Sequence, residues 1–286
     1  MNIFAEQFED EAIDSIIKFS KIAKMEGLPV ELGFSGGKDS LVVNSLCDRS
    51  KINHIKIFNY AFEDPDTVKF IREKYPDVTI MKKEKSYFQL IREKGFLPTS
   101  DIRYCCEYFK ENSKNAVITG IRRQESANRK KRKMFGVKGK KKINKYNEMF
   151  SADCTETGNT PLMLHPILYY STDEIWEYIK KYNMAYPSLY DKGQTRCGCM
   201  LCPLAQLKAN MYYIKKYPNL LPSFYRNAAS RTNIDFIFNK DRDSEENLKD
   251  DPFRYLLYWL SASFRPSKRD KLMIDKFLME RNFNNT

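Results

Sequence analysis

Residues 32–40 read Leu32-Gly33-Phe34-Ser35-Gly36-Gly37-Lys38-Asp39-Ser40, a short apolar lead followed by a glycine-rich turn that carries a lysine and hydroxyls. A strand that ends in such a turn and hands over to a helix makes a phosphate cradle, because the first amides of the helix are free and its dipole favours anions. Gly36 and Gly37 let the backbone come close to a ligand, Lys38 adds charge, and Ser35 and Ser40 add hydroxyls. The stretch is not a Walker A loop, which has a longer glycine loop and places Ser or Thr directly after its lysine; here Asp39 separates Lys38 from Ser40. A different phosphoanhydride bond is therefore expected to break.

The flanking sequence repeats the strand–helix alternation. Upstream, Ala12, Ile13, Ile16, Ile17, Phe19 and Ile22 recur at helical spacing until Gly27-Leu28-Pro29 ends the helix. The pattern predicts strands over 30–34, 52–60, 78–81 and 115–119, with 162–166 closing the sheet, and helices from Asp39, over 68–74 and over 87–94. Alternation of this kind points to an α/β fold, a mostly parallel sheet with helices on both faces. Ser171-Thr172-Asp173-Glu174 is a helix start in which either hydroxyl can cap, and Ile175, Trp176, Tyr178 and Ile179 supply the apolar face. Beyond Cys202-Pro203 the chain reads as helical over 204–217, 220–227 and 252–264, with a charged linker at 241–251. The expected organisation is a nucleotide-binding domain over 1–203 and a helical C-terminal extension over 204–286.

Charge and cysteine usage narrow the class. The chain has 286 residues and a formal charge of +12, which favours polyanionic partners without choosing among nucleotides, nucleic acids and acidic proteins. Arg129 to Lys133 and Lys140 to Lys142 concentrate that charge in an insertion at 122–145, whose reading is open between a solvated loop and a functional lid. No apolar run reaches membrane-spanning length, and residues 1–19 do not resemble a signal peptide, so a cytoplasmic protein with no membrane partner is expected. Seven cysteines, with Cys105 beside Cys106 and Cys197, Cys199 and Cys202 crowded together, do not form a secreted disulfide framework. Metal ligands or reactive thiols are the expectation. Cys47 and Cys154 have no motif support, His54 reads as structural or exposed, and His165 is open between a packed structural residue and one near the ligand.

With these stretches in view the chain resembles the phosphoadenosine-phosphosulfate reductase family, within the PP-loop ATP pyrophosphatases. The resemblance rests on SGGKDS at 35–40, Glu63-Asp64-Pro65-Asp66-Thr67, Gly120-Ile121-Arg122-Arg123-Gln124-Glu125-Ser126, His165-Pro166-Ile167, the 172–179 helix start and Pro187-Ser188-Leu189-Tyr190-Asp191-Lys192-Gly193, together covering roughly residues 30–205. It implies an adenine nucleotide alpha hydrolase-like, Rossmann-like fold. It also implies a nucleotide site made of Ser35, Gly36, Gly37, Lys38, Asp39, Ser40, Gly120 and Arg122. Within that site the amides and Lys38 would stabilise charge on a leaving pyrophosphate. Arg122 is the candidate for a second phosphate clamp, or else a surface arginine, and Asp39 is either catalytic or a cap on the first helical turn.

The cysteines add a second layer. Cys105-Cys106 with Cys199-Met200-Leu201-Cys202 is similar to the signature that ligates a [4Fe-4S] cluster in adenylylsulfate reductases and in DndC-type DNA phosphorothioation proteins, while four thiolates also suit zinc. Cys197 stands as an alternative ligand, a sulfur-carrying nucleophile or a spare thiol. No cysteine follows Cys202, so the nucleophilic thiol that the family's reductases carry near the C-terminus has no counterpart here. The expected function is an ATP pyrophosphatase that adenylates an acceptor for sulfur transfer, as in phosphorothioation or thiolation, using ATP and Mg2+. Alternatives are a sulfonucleotide reductase with an atypical or partner thiol and a metal-stapled nucleic-acid-binding protein without turnover. Expected partners are ATP or an adenylylated nucleotide, DNA or RNA through the basic insertion, a sulfur-donor protein such as a cysteine desulfurase, and further copies of the chain as a homo-oligomer.

Overall fold

A computed structural model describes residues 3–111, 113–127, 129–150, 153–157, 160–229, 252–261 and 266–283. The expected charged linker at 241–251 lies outside the described residues. By their internal packing the described residues fall into two compact units, one of residues 1–82 and 108–198 and the other of residues 83–107 and 199–286. This division is discontinuous in sequence, unlike a single boundary after residue 203: the segment 83–107 folds with the C-terminal helices.

The first unit is built on a seven-stranded sheet in the order β3-β2-β1-β4-β7-β5-β6. Its strands are β1 (Val30–Gly33), β2 (Ile55–Tyr60), β3 (Thr79–Lys82), β4 (Ala116–Thr119), β5 (Phe135–Val137), β6 (Cys154–Glu156) and β7 (Leu162–Leu164). From β3 to β7 every pairing is parallel. Helices α1 (Ile3–Met25), α2 (Lys38–Arg49), α3 (Pro65–Lys74), α6 (Lys140–Asn147) and α7 (Thr172–Lys181) accompany the sheet. The central strands β1 and β4 are buried along nearly their whole length, as the runs Val30-Glu31-Leu32 and Ala116-Val117-Ile118 require of a sheet covered by helices. Phe19, Leu41, Val42, Val43 and Leu46 pack onto them in one core. At the start of α7, Ser171 rather than Thr172 is the cap: its hydroxyl accepts from the Glu174 amide at 3.1 Å, and Glu174 returns the bond to the Ser171 amide.

The basic insertion is loop and short turns only up to residue 134; from Phe135 it enters the sheet. Residues 135–164 extend the sheet past β7, the strand expected to close it, because β5 pairs antiparallel with β7 and β6 pairs parallel with β5. Phe135, Val137, Tyr146 and Phe150 are buried in the core; Phe135 stacks on Phe150 with ring centroids 4.4 Å apart. Several of its cations are held by the fold: Lys142, Lys145 and the Tyr146 hydroxyl converge on Glu26, and Lys133 meets Asp153 at 3.4 Å. The hydrogen bonds from Lys142 and Tyr146 hold the Glu26 carboxyl down at about 2.

The second unit contains α4 (Tyr87–Lys94), α5 (Tyr104–Phe109, through Glu107), α8 (Leu207–Lys216), α9 (Leu220–Ala229), α10 (Pro252–Trp259) and α11 (Lys268–Phe283). Trp259 is fully buried, stacks on Phe224 at 5.3 Å and donates its indole N–H to the Pro98 carbonyl at 2.7 Å, satisfying its polar edge inside the core. No described helix is long and apolar enough to cross a membrane.

Candidate functional site

The strand order places a switch point between β1 and β4: the chain leaves β1 toward β2 and β3 on one side, and leaves β4 toward β7 on the other. In open α/β sheets ligands bind outside the carboxyl ends of the strands at such a point. The glycine turn follows β1 there, and Gly120 follows β4. Gly36 has φ +72°, and a Cβ on it would stand 2.9 Å from the Ile71 side chain, so both backbone and space demand glycine. A Cβ on Gly120 would lie 2.9 Å from the Asp39 carbonyl carbon and 3.1 Å from the Ser40 nitrogen, both of them backbone.

The two serines stiffen the loop. Ser35 Oγ accepts from the Gly37 amide at 3.3 Å and donates to Ser40 Oγ at 3.1 Å, and Ser40 Oγ donates to the Gly37 carbonyl at 2.9 Å. Gly37 caps α2 without a side-chain bond, and its own amide is taken by Ser35 Oγ. The Lys38 amide donates to the Tyr190 hydroxyl at 2.9 Å. Lys38 Nζ meets Asp39 Oδ2 at 2.9 Å and the Thr195 carbonyl at 3.2 Å.

Arg122 turns inward. With 2% exposure it donates Nε to Asp39 Oδ1 at 2.6 Å and Nη1 to the Tyr170 carbonyl at 3.1 Å, and both Nη atoms lie 3.4 Å from Thr172 Oγ1. Asp39 thus bridges Lys38 and Arg122, and Arg122 ties α2 to the start of α7. Glu63 and Asp64 of the motif after β2 have local partners too: Glu63 accepts from the Ala61 amide and from Lys110 Nζ, and Asp64 caps α3.

Sequence reasoning assigned no site role to Tyr190 or Thr195 and left Cys197 open; the signal available was their place in and just after the 187–193 motif. Cys197 Sγ lies 3.9 Å from the Gly36 carbonyl. Burial pushes its thiol up to about 11, against the lowering influence of Tyr190, Thr67 and Lys38. Cys47 is a core residue of α2.

His165 is a packed neutral histidine at the end of β7, with Nδ1 2.7 Å from Thr119 Oγ1. Burial, then the charges of Arg132 and Arg129, hold it down at about 3, with Asp153 opposing. A group whose folded value lies below its ordinary 6.5 stabilises the fold fully above that value and loses this contribution as pH falls toward 3. Unfolding free energy should therefore drop by about 1 kcal/mol per pH unit below pH 6, and His165→Asn should flatten that slope. Urea titrations between pH 5 and 8 would show it; an identical slope in the variant would remove His165 as the cause.

In the second unit, α5 carries Cys105 and Cys106, while Cys199 and Cys202 sit in the turn before α8. Asn210, fully buried on α8, clamps that turn by accepting from the Cys202 amide at 3.1 Å and donating to the Cys202 carbonyl at 2.9 Å. Among the described residues no group of three or more His, Cys, Asp or Glu is arranged to hold a metal ion as it stands. The four sulfurs nonetheless share one neighbourhood: a hydrogen bond with Cys106, then burial, then Cys106, Cys199 and Cys202 push the Cys105 thiol far up. The Tyr87 hydroxyl is raised by burial and by Cys105, Cys199 and Cys202 as well. An all-sulfur donor set suits a soft, thiolate-ligated centre.

Residues 29–205 match the phosphoadenosine phosphosulfate reductase domain, and the chain belongs to that family. It is a family of enzymes of sulfur-related nucleotide chemistry. An uncharacterised protein of Methanocaldococcus jannaschii is 29% identical over 234 residues, 75% of this chain and 51% of its own length, so the chain spans about half of that relative. The adenosine 5'-phosphosulfate reductase of Oceanobacillus iheyensis is 25% identical over 215 residues, covering 70% of this chain and 82% of its own. Among solved structures, phosphoadenylyl-sulfate reductase from Candida auris aligns with a TM-score of 0.43 at 17% identity, covering 70% of this chain and 96% of its own. The U34-tRNA thiolase NcsA from Methanococcus maripaludis, solved with its [4Fe-4S] cluster, aligns at 0.38 and 16% identity, over 83% and 80%.

Proposed function

We propose that the protein is a PP-loop ATP pyrophosphatase that activates an acceptor for sulfur transfer. An acceptor oxygen attacks the α-phosphorus of ATP, pyrophosphate leaves, and a sulfur nucleophile from a donor protein then displaces AMP from the adenylated acceptor. The observation that carries this reading is the cradle at the switch point, where a serine-stiffened glycine turn holds amides and Lys38 together. Donors fixed before reaction stabilise the charge that develops on pyrophosphate. Arg122 positions Asp39, and Asp39 in turn orients Lys38. Magnesium would come with the substrate's phosphates, and Asp39, whose two oxygens Arg122 and Lys38 hold, would be the carboxylate the loop offers it. Cys105, Cys106, Cys199 and Cys202 would hold a [4Fe-4S] cluster, which would supply a soft centre for binding sulfur. DNA or RNA is the acceptor class in this reading by analogy with the family, and the net charge of +12 suits such a polyanion without selecting it.

The test is anaerobic purification followed by assay of pyrophosphate and AMP from ATP, with iron, zinc and labile sulfide measured on the same sample. The expected result is pyrophosphate and AMP release from an iron- and sulfide-containing protein; zinc in place of iron would replace the cluster. Sulfite release from adenylylsulfate without pyrophosphate from ATP would overturn the reading. That outcome belongs to a second reading, a sulfonucleotide reductase, which the approach of Cys197 Sγ to the Gly36 carbonyl at 3.9 Å favours. Under it, Cys197→Ser abolishes sulfite release.

A further inference from the structure

The sheet has one edge at β3, and a cleft of about 520 Å3 runs along it, lined by Tyr60, Pro65, Val68, Ile80 and a set of charged side chains. Lys69 and Arg72 stand on the α3 wall and Lys82 on the β3 wall, against a single acid, Glu73. Lys69 meets Glu73 at 3.8 Å, with both side chains mostly exposed, so that pair holds neither residue firmly. The side chains of Arg72 and Lys82 have no partner among the described residues. Tyr60 sits opposite Lys82 in the β2–β3 register, which puts an aromatic ring beside the cations. As the edge strand, β3 also turns one row of backbone donors and acceptors outward, and it is exposed over most of its length.

We propose that this cleft binds a single-stranded segment of nucleic acid. Unpaired cations on both walls suit successive phosphates rather than one, and an aromatic ring between apolar side chains suits a base face. Position supports the same occupant. Tyr60 lies at the carboxyl end of β2, the sheet end that also bears the glycine turn, and the opposite side of α3 packs Ile71 against Gly36. One helix, about 10 Å across, therefore separates the cleft from the phosphate cradle, within reach of a neighbouring nucleotide of the same strand. The inference rests on the reading of nucleic acid as the acceptor, and makes this cleft the place where the acceptor is held.

Fluorescence anisotropy with single-stranded RNA and DNA oligonucleotides, across a salt series, tests it on the full chain. Arg72→Ala/Lys82→Ala should weaken binding about tenfold and reduce the log–log salt slope by about 1.4, or ~0.7 for each phosphate no longer neutralised. Tyr60→Leu should weaken binding without changing the slope. The exposed pair Lys21→Ala/Lys24→Ala on α1 serves as the charge-matched control, and thermal melts show that each variant folds. RNA and DNA compared side by side identify which strand is held. An unchanged affinity and slope in the double variant, an equal loss in the control, a preference for duplex, or displacement of the oligonucleotide by ADP at equal phosphate concentration would each overturn the proposal. Pyrophosphate release from ATP with water as the attacking acceptor, measured without oligonucleotide, should be unchanged in Arg72→Ala/Lys82→Ala. Intact turnover with unaltered oligonucleotide binding therefore removes the cleft alone, while cleft-dependent binding without any turnover removes the pyrophosphatase reading alone.

Discussion

Arg122→Met is expected to destabilise the first unit by about 3 kcal/mol, the lower end of the cost of removing one partner from a buried ion pair. The guanidinium is 2% exposed, so its donors to Asp39, Tyr170 and Thr172 have no water to replace them. The Asp39 side chain keeps 16% exposure, which lets solvent soften the loss. Urea denaturation should show a lower midpoint with an unchanged slope, and Arg122→Lys should not restore it, because an ammonium cannot reach three acceptors in one plane. A double-mutant cycle with Asp39→Asn should return a coupling of about 1 kcal/mol or more. A shift below about 0.5 kcal/mol for Arg122→Met, the level of an ordinary surface substitution, would mean that Arg122 is not the anchor of Asp39.

Lys38→Ala is expected to lower pyrophosphate release from ATP about 10²–10³-fold, the usual cost of losing one preorganised donor to developing charge. The fold should survive, since Lys38 Nζ binds Asp39 and the Thr195 carbonyl, and the loop's internal hydrogen bonds run through Ser35 and Ser40 instead. Steady-state assay of pyrophosphate beside a thermal melt separates the two effects. Turnover within threefold of wild type, on the order of 0.7 kcal/mol, would leave the cradle without its assigned role.

Much of the first unit was legible because its strands are short apolar runs bounded by turn residues. Strands at 30–33, 55–60, 79–82, 116–119 and 162–164 fall where apolar clustering places them. The strand and helix in the second half of the insertion were missed because Lys and Arg dominate its composition and hide a short alternation. Strand β5 is only Phe135–Val137, too brief for periodicity to register, and the aromatic residues that bury it are spread over the following turns. Helix α5, Tyr104–Phe109, escaped for the same reason of length, although it carries Cys105 and Cys106.

Taken by itself, the sequence determined the glycine turn between strand and helix, the α/β class and the set of cysteines, because glycine spacing, apolar periodicity and thiol content are local properties of the chain. Only the tertiary structure decided that Arg122 faces Asp39 across 83 residues, that Tyr190 and Cys197 come to the glycine turn, and that 83–107 folds with the C-terminal helices. Those outcomes depend on which side of a buried guanidinium finds acceptors and on how strands order themselves in the sheet. Both are set by the requirement that buried polar groups be paired, a condition that no local stretch of sequence contains.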